Sequence, residues 1–309
     1  MNRPLIAVTG ANGFIGRNVC KKLTQHDYSF NCLFGCDKNA SIDFEPEFST
    51  TSDICDGKAL DDVLDGVSTV VHLAGPPSVA ESFKQPAKYF QSHVVGTAML
   101  IEKAIEHGVE KLIYISSAEV YGAPLRNPVH ETDRLQARSP YGAAKIAAES
   151  ILQIYSNSHS IQGIVLRPFS VYGPGQSNNS LISDILKQAM VERSESILLY
   201  DLKPVRDYCF IDDVTDAVLA AVETKCGAFE IVNIGSGVGT SVRVLADSTL
   251  QALGLDCAVE QHTRQDRPAS NNIYSLIADN SKAREILNWT PRFDLRSGLE
   301  VLARAEGAK

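Results

Sequence analysis

Leu5-Ile-Ala-Val-Thr-Gly10-Ala-Asn-Gly13-Phe-Ile-Gly16-Arg-Asn-Val-Cys-Lys-Lys-Leu-Thr-Gln25 reads as a short apolar strand, a glycine-rich turn and a helix. Three glycines at G-x-x-G-x-x-G spacing let the backbone turn tightly and approach a pyrophosphate, which then sits on the positive N-terminus of the following helix. Gly10, Asn12, Gly13, Phe14, Ile15 and Gly16 are therefore the first candidate cofactor-binding residues. Asp37 ends the next apolar run, near the offset of about 20 residues expected of an acid that binds ribose hydroxyls. A carboxylate there repels the 2′-phosphate of NADP, so NAD is the expected dinucleotide. The basic Arg17 and Lys38 keep NADP as the alternative, and the blander reading of Asp37 is a strand-end turn residue.

Working outward, brief apolar runs at 5–9, 30–36, 69–73, 112–116 and 163–166 alternate with helical patterns, notably 86–107 and 140–156. Continuous apolar strands separated by helices predict βαβ units and a parallel sheet buried on both faces. The ends of later units, Asp53-Ile54 and His72-Leu73-Ala74-Gly75, supply loops that close over the cofactor; His72 itself reads as a buried strand histidine. After the breaker Gly173-Pro174-Gly175 the alternation blurs. Helices are expected at 181–191, at 212–223 with Asp212 as N-cap, from Ser241, at 281–287 and at 295–304, with a strand at 230–234. The fold class is thus α/β: a Rossmann doubly wound parallel sheet with a smaller C-terminal α/β substrate lobe. The dinucleotide domain spans 1–170 and the lobe 171–309, with a segment at about 205–235 returning to the first domain.

The 309 residues carry a net charge of −8 and no basic stripe, which argues against nucleic acid as the partner. No apolar run approaches the roughly 18 residues of a membrane span, and the apolar stretch near the N-terminus is too short to read as a signal peptide. The seven cysteines show no paired C-x-x-C spacing, so no metal site is expected; most read as reduced core residues and the chain as cytoplasmic.

Tyr141 and Lys145 stand four residues apart at the start of a helical pattern, on one helix face. An ammonium near a phenol stabilises the phenolate and lowers its pKa, which a tyrosine needs to act as a base near neutrality. Ser116-Ser117-Ala-Glu119 follows the strand at 112–116, at the carboxyl edge where open α/β sheets bind ligands. Ser117 can share a hydrogen bond with the oxygen on which Tyr141 works; otherwise it is a strand-end cap.

Taken with Leu166-Arg-Pro-Phe-Ser-Val-Tyr-Gly-Pro-Gly175, Arg206-Asp-Tyr-Cys-Phe-Ile-Asp-Asp-Val214 and Ala278-Asp-Asn-Ser-Lys-Ala283, these stretches resemble the extended short-chain dehydrogenase/reductase superfamily, in its NAD-dependent epimerase/dehydratase branch. The resemblance covers nearly the whole chain. It implies Tyr141 as acid/base, Lys145 as its electrostatic partner and ribose ligand, and Ser117 as the supporting hydroxyl. It implies a nucleoside-diphosphate sugar as substrate, its diphosphate held by Arg206 and by Arg264 or Arg267, with Ser78 and Ser170 also substrate-binding. Relatives commonly pair, so a homodimer through the 86–107 and 140–156 segments is expected. Two residues depart from the pattern: Ser170 and His93 each stand where an asparagine is usual. Both keep hydrogen-bonding capacity, and His93 reads as structural.

The reaction expected first is C4 epimerisation through a transient 4-keto sugar. Alternatives within the family are a 4-keto-sugar reductase, a 4,6-dehydratase and a uronate decarboxylase. Glu119 would serve as a C5 base in a dehydratase, yet Ala118 stands where the paired aspartate of such enzymes is found. Outside sugar chemistry stand a carbonyl reductase, which Arg206 argues against, and a non-catalytic NAD(P)-sensing protein, which the intact Ser117, Tyr141 and Lys145 argue against. Sugar specificity should lie in the second lobe, where the polar stretch Gln176–Ser180 and the basic segment 264–267 stand out.

Overall fold

The computed structural model describes residues 3–36, 42–178, 180–262 and 273–307. In chain order the first half contains β1 (Ile6–Thr9), α1 (Phe14–Gln25), β2 (Phe30–Phe34), β3 (Phe48–Thr51), α2 (Gly57–Leu64), β4 (Thr69–His72), α3 (Val79–Lys84), α4 (Pro86–Phe90), α5 (Gly96–Glu106), β5 (Lys111–Ile115), α6 (Pro140–Ser158) and β6 (Gln162–Pro168). The second contains β7 (Ser170–Tyr172), α7 (Leu181–Leu186), β8 (Ser196–Leu199), β9 (Val205–Phe210), α8 (Ile211–Glu223), β10 (Phe229–Ile234), β11 (Gly239–Ser241), α9 (Val242–Leu253), β12 (Ala258–Gln261), β13 (Ser275–Leu276), α10 (Ser281–Leu287) and α11 (Leu295–Ala305).

Seven parallel strands form the main sheet in the order β10-β6-β5-β4-β1-β2-β3. Side chains alternate across it as the pleat requires. Ile6, Val8, Val71, Ile113, Ile115 and Ile164 pack with Val19 and Leu23 of α1 and Val214 and Val218 of α8. Ala7, Val70, Leu112, Tyr114 and Val165 face the other way, onto Leu60 and Val63 of α2, Leu100 and Ile101 of α5, and Ala148 and Leu152 of α6. Both faces are covered, which is why these strands are apolar throughout rather than alternating. The strand order reverses between β1 and β4, and a crevice opens there at the carboxyl ends.

The remaining strands build a second layer around β9, which pairs in parallel with β7 and β13 and antiparallel with β11. β8 and β12 pair separately. Ile182, Ile185, Ile197, Leu245, Leu250 and Leu299 close a core under them.

Several elements differ from expectation. The second strand ends at Phe34 rather than at 36, because Gly35 is clamped by Asn12. β3 has the mostly exposed sequence FSTT and no apolar signal; pairing with β2 at the sheet edge makes it a strand. The expected 86–107 helix is broken by a π-turn at Gln91–Val95, and the 181–191 helix ends in another at Lys187–Val191. Asp212 is not an N-cap: the helix starts at Ile211 after Phe210, and Asp212 lies in its first turn, where the helix dipole favours a carboxylate. Only Cys20, Cys32 and Cys209 are buried; Cys55, Cys226 and Cys257 are half-buried at element ends and Cys36 is exposed, so the core takes fewer cysteines than expected.

Candidate active site

Two loops meet at the crevice above β1. Gly10 has φ +68, and a Cβ on it would lie 2.9 Å from the Ala74 backbone. A Cβ on Gly16 would lie 2.3 Å from the Gly10 carbonyl oxygen. The turn therefore has no room for side chains, and glycine's freedom at positive φ is needed at Gly10. Asn12 is spent on the fold: its amide donates to the Gly35 carbonyl (2.8 Å) and its oxygen accepts from Gly35 N–H (2.9 Å). Gly13 offers no side-chain cap and the first turn of α1 carries no acid, so the positive helix end is left for an outside anion. These features fit the pyrophosphate of a dinucleotide.

Leu73 and Ala74 donate backbone N–H groups to the Thr9 hydroxyl, which fixes the second loop beside the first. His72 beneath it is fully buried between Thr9 and Thr97 (2.7 and 2.9 Å). Burial pushes its pKa down to about 3, so it stays neutral and structural. Ile54 is buried against Gly96, while Asp53 is exposed and caps its own turn at Cys55 N–H. Ser78 caps α3 through Glu81 N–H (3.2 Å), and its carbonyl accepts from the Tyr89 hydroxyl. Asp37, Arg264 and Arg267 lie outside the described residues.

The catalytic candidates converge at the end of β5. Ser139 caps α6 by accepting from Gly142 N–H (3.1 Å), which sets the helix start just ahead of Tyr141. A Cβ on Gly142 would lie 2.9 Å from the Glu119 carbonyl oxygen, so the short 3-10 turn Ala118–Tyr121 rests directly on α6. Ser117 caps that turn through Glu119 N–H (3.2 Å), and its hydroxyl is close enough to Tyr141 to favour the phenolate. It is both a strand-end cap and a partner of the phenol.

Lys145 is 4% exposed, donates to the Ile115 carbonyl (2.8 Å), and lies 4.6 Å from the centre of the Tyr114 ring and 5.8 Å from that of Tyr141. Burial lowers its pKa to about 7, opposed by the Glu149 carboxylate. The phenol of Tyr141 moves the other way from expectation: burial pushes it well above its ordinary value, and the Ser117 hydroxyl opposes only part of that. Desolvating an anion outweighs one nearby hydroxyl here.

His93 occupies the π-turn, 2% exposed and edge-on to Tyr141 with ring centres 5.5 Å apart. Its Nε2 donates to the Pro76 carbonyl (3.0 Å). Its Nδ1 is buried beside Gly75 with no hydrogen-bond partner among the described residues.

Across the cleft, Ser170, Gln176, Arg206 and Tyr208 line a pocket. Arg206 stands on β9 beside Asp207, which is fully buried and accepts from the backbone of Ser236, Gly237 and Ala278 (2.7, 2.8 and 3.1 Å). Alternation along the strand turns Arg206 the opposite way. Burial lowers the Arg206 pKa while Glu119 and Tyr208 support its charge. Glu119 also raises the Tyr141 phenol, so its charge is felt by both the phenol and the guanidinium. The reading of the sequence passed over Tyr208, Glu149 and Arg167, whose only signal was adjacency to residues already chosen.

A sequence profile of the NAD dependent epimerase/dehydratase family matches residues 6–235. The chain is 32% identical over 305 residues to UDP-glucose 4-epimerase of Mycolicibacterium smegmatis, covering 94% of this chain and 95% of that one. Among solved structures it is similar to the UDP-glucose 4-epimerase of Thermotoga maritima with UDP-glucose (TM-score 0.88, 29% identity, 98% of each chain covered). It is also similar to the UDP-glucuronic acid 4-epimerase of Bacillus cereus with UDP-glucuronic acid and NAD (TM-score 0.88, 27% identity, 97% of this chain and 98% of that one).

Proposed function

Because the chain belongs to the NAD-dependent epimerase/dehydratase family, we propose that it holds NAD and inverts C4 of a nucleoside-diphosphate sugar, with UDP-glucose the first substrate to test. The observation that carries this reading is Lys145, buried one turn along the same helix as Tyr141 and 5.8 Å from its ring, with Ser117 at the phenol. Gly10–Gly16, Leu73–Gly75, Tyr141 and Lys145 would hold the dinucleotide, with Asp37 on its adenosine ribose and Asp53 and Ile54 in the loop nearby. Arg206 and Ser170, with Arg264 or Arg267, would bind the substrate's diphosphate, the planar guanidinium fork matching phosphate oxygens.

When bound, the oxidised nicotinamide supplies a reversible hydride acceptor at C4 and a positive charge beside the phenol. Tyr141 takes the proton from the 4-hydroxyl and returns it after the sugar has turned over. Ser117 holds the same oxygen by a second hydrogen bond. Lys145 favours the phenolate through its charge, 5.8 Å from the ring. The small layer around β9 serves as the substrate lobe, with the pocket at Ser170, Gln176, Arg206 and Tyr208 receiving the substrate. Phe83, Phe90, Val95 and Ile154 on α3, α4, the π-turn and α6 are exposed apolar side chains that a homodimer would cover, measurable by light scattering.

The test is to denature freshly purified protein, identify the nucleotide released by mass, and follow interconversion of UDP-glucose and UDP-galactose. Stoichiometric NAD with interconversion is the expected result. An empty site that turns over only with added NADPH would overturn the epimerase reading in favour of a keto-sugar reductase.

A further inference from the structure

Glu149 and Arg167 lie behind the catalytic residues and outside the substrate pocket, Glu149 on α6 one turn beyond Lys145 and Arg167 on β6. They are 3% and 1% exposed. Arg167 grips the carboxylate with both arms of its fork, Nη2 to Oε2 at 2.6 Å and Nε to Oε1 at 3.1 Å. Its Nη1 donates to the Tyr121 hydroxyl (2.8 Å) and to the Glu131 carbonyl (3.3 Å), and the guanidinium lies 4.9 Å from the centre of the Tyr121 ring. Tyr121 donates onward to Asn233 on β10 (2.6 Å). Ser116, the residue before Ser117, donates its hydroxyl to the same Glu149 carboxylate.

From this geometry we infer that Glu149 and Arg167 are positioning residues, a buried ion pair that sets the relative placement of Ser117, Glu119, Tyr141 and Lys145. Three elements end on this one pair. Ser116 ties it to the end of β5, Tyr121 to the turn that carries Glu119, and Glu149 itself to the helix that carries Tyr141 and Lys145. An apolar pair of similar volume could join α6 to β6 with equal or better stability, because burying two charges costs much of what their attraction returns. What apolar side chains would lack is the fixed angle and length of a two-armed fork. A general base gains from hydrogen-bond distances held to fractions of an ångström, so register is the quantity this pair supplies.

The carboxylate has a second consequence. Lys145 faces Glu149 and Tyr141 on its own helix, Tyr114 on β5, His72 on β4 and His93 in the π-turn. Of these, Glu149 is the carboxylate that supports the ammonium charge against burial, together with the face of the Tyr114 ring.

The inference rests on the proposed function for its kinetic readout, so a second readout without substrate accompanies it. The variant is E149M/R167M in the full-length, cofactor-loaded protein, since either single change would strand a buried charge. Its Tm and NAD content should match the wild type, its KM should stay within about twofold, and its kcat should fall at least about tenfold, the size of effect a small displacement of reacting groups produces. The Lys145 resonance, assigned by its loss in K145M and followed by NMR against pH, should titrate about one pH unit lower. A folded, NAD-loaded variant with wild-type kcat and an unmoved Lys145 titration overturns the inference.

If the double variant does not fold, S116A keeps the ion pair and removes one tie. It should lower kcat several-fold at unchanged KM, and unchanged kcat would count against the positioning role. If the wild type does not act on UDP-sugars, the proposed function fails, while the inference is still decided by the backbone amide resonances of Ser117, Glu119 and Tyr141, which should move in folded E149M/R167M and whose staying in place would overturn it.

Discussion

Behind Ser117 and Lys145 the charged groups are paired within the chain: Glu149 with Arg167 and Ser116, and Lys145 with the Ile115 carbonyl. Across the cleft two donors are left over. The Gln176 amide nitrogen is buried without a partner among the described residues, and Arg206 gives one bond to the carbonyl of its own neighbour, Val205. The Gln176 oxygen accepts from Gly173 N–H, which turns the amide nitrogen away as a free donor. A wall whose charges are held by partners within the chain keeps its groups in place for proton transfer, while a wall with spare donors suits an anionic ligand that completes them. The first sits on the main sheet and the second on the smaller layer.

Substitutions on the two walls should therefore fail in different ways. The largest effect is expected from Tyr141→Phe, which should lower kcat by about a thousandfold while NAD stays bound, given the usual size of acid–base contributions. Near-normal turnover would remove Tyr141 from the mechanism and the contrast with it. Next is Arg206→Met on the opposite wall. It should raise KM by about tenfold to a hundredfold with kcat little changed, the scale of a charged hydrogen bond of about 1.5–3 kcal/mol. A fall in kcat with constant KM would place Arg206 on the chemical side instead.

A smaller effect should appear in stability. Lys145 titrates near 7 in the fold and at about 10.4 when unfolded, so between those values the unfolded chain binds a proton that the native one lacks. Stability of NAD-free protein should then rise with pH across that window. The rise should be shallower in Lys145→Met, as Tm values from pH 6.5 to 9 would reveal; parallel curves would mean the lysine is not desolvated. The smallest effect is expected for Glu119→Gln, which should leave epimerisation within about twofold. A collapse in rate would point to proton removal from C5 and to a dehydratase.

Much of the first wall was legible in the residue order because it is local. The glycine triplet, the four-residue spacing of Tyr141 and Lys145 and the position of Ser117 at a strand end all follow from contacts short in sequence. Boundaries were less legible. β3 carries almost no apolar signal and exists through pairing at the sheet edge, and Asp212 looked like a cap because helix starts favour acids inside the first turn as well as before it.

By itself the sequence determined the parallel sheet, the dinucleotide turn and the helix that bears the acid–base pair, since periodicity and spacing encode short-range geometry. Only the tertiary structure decided that Arg167 and Glu149 meet, that Glu119 acts on both Tyr141 and Arg206, and that burial drives the phenol upward despite a lysine beside it. Those facts depend on which side chains share an interior and how much water is excluded there, and neither quantity is local along the chain.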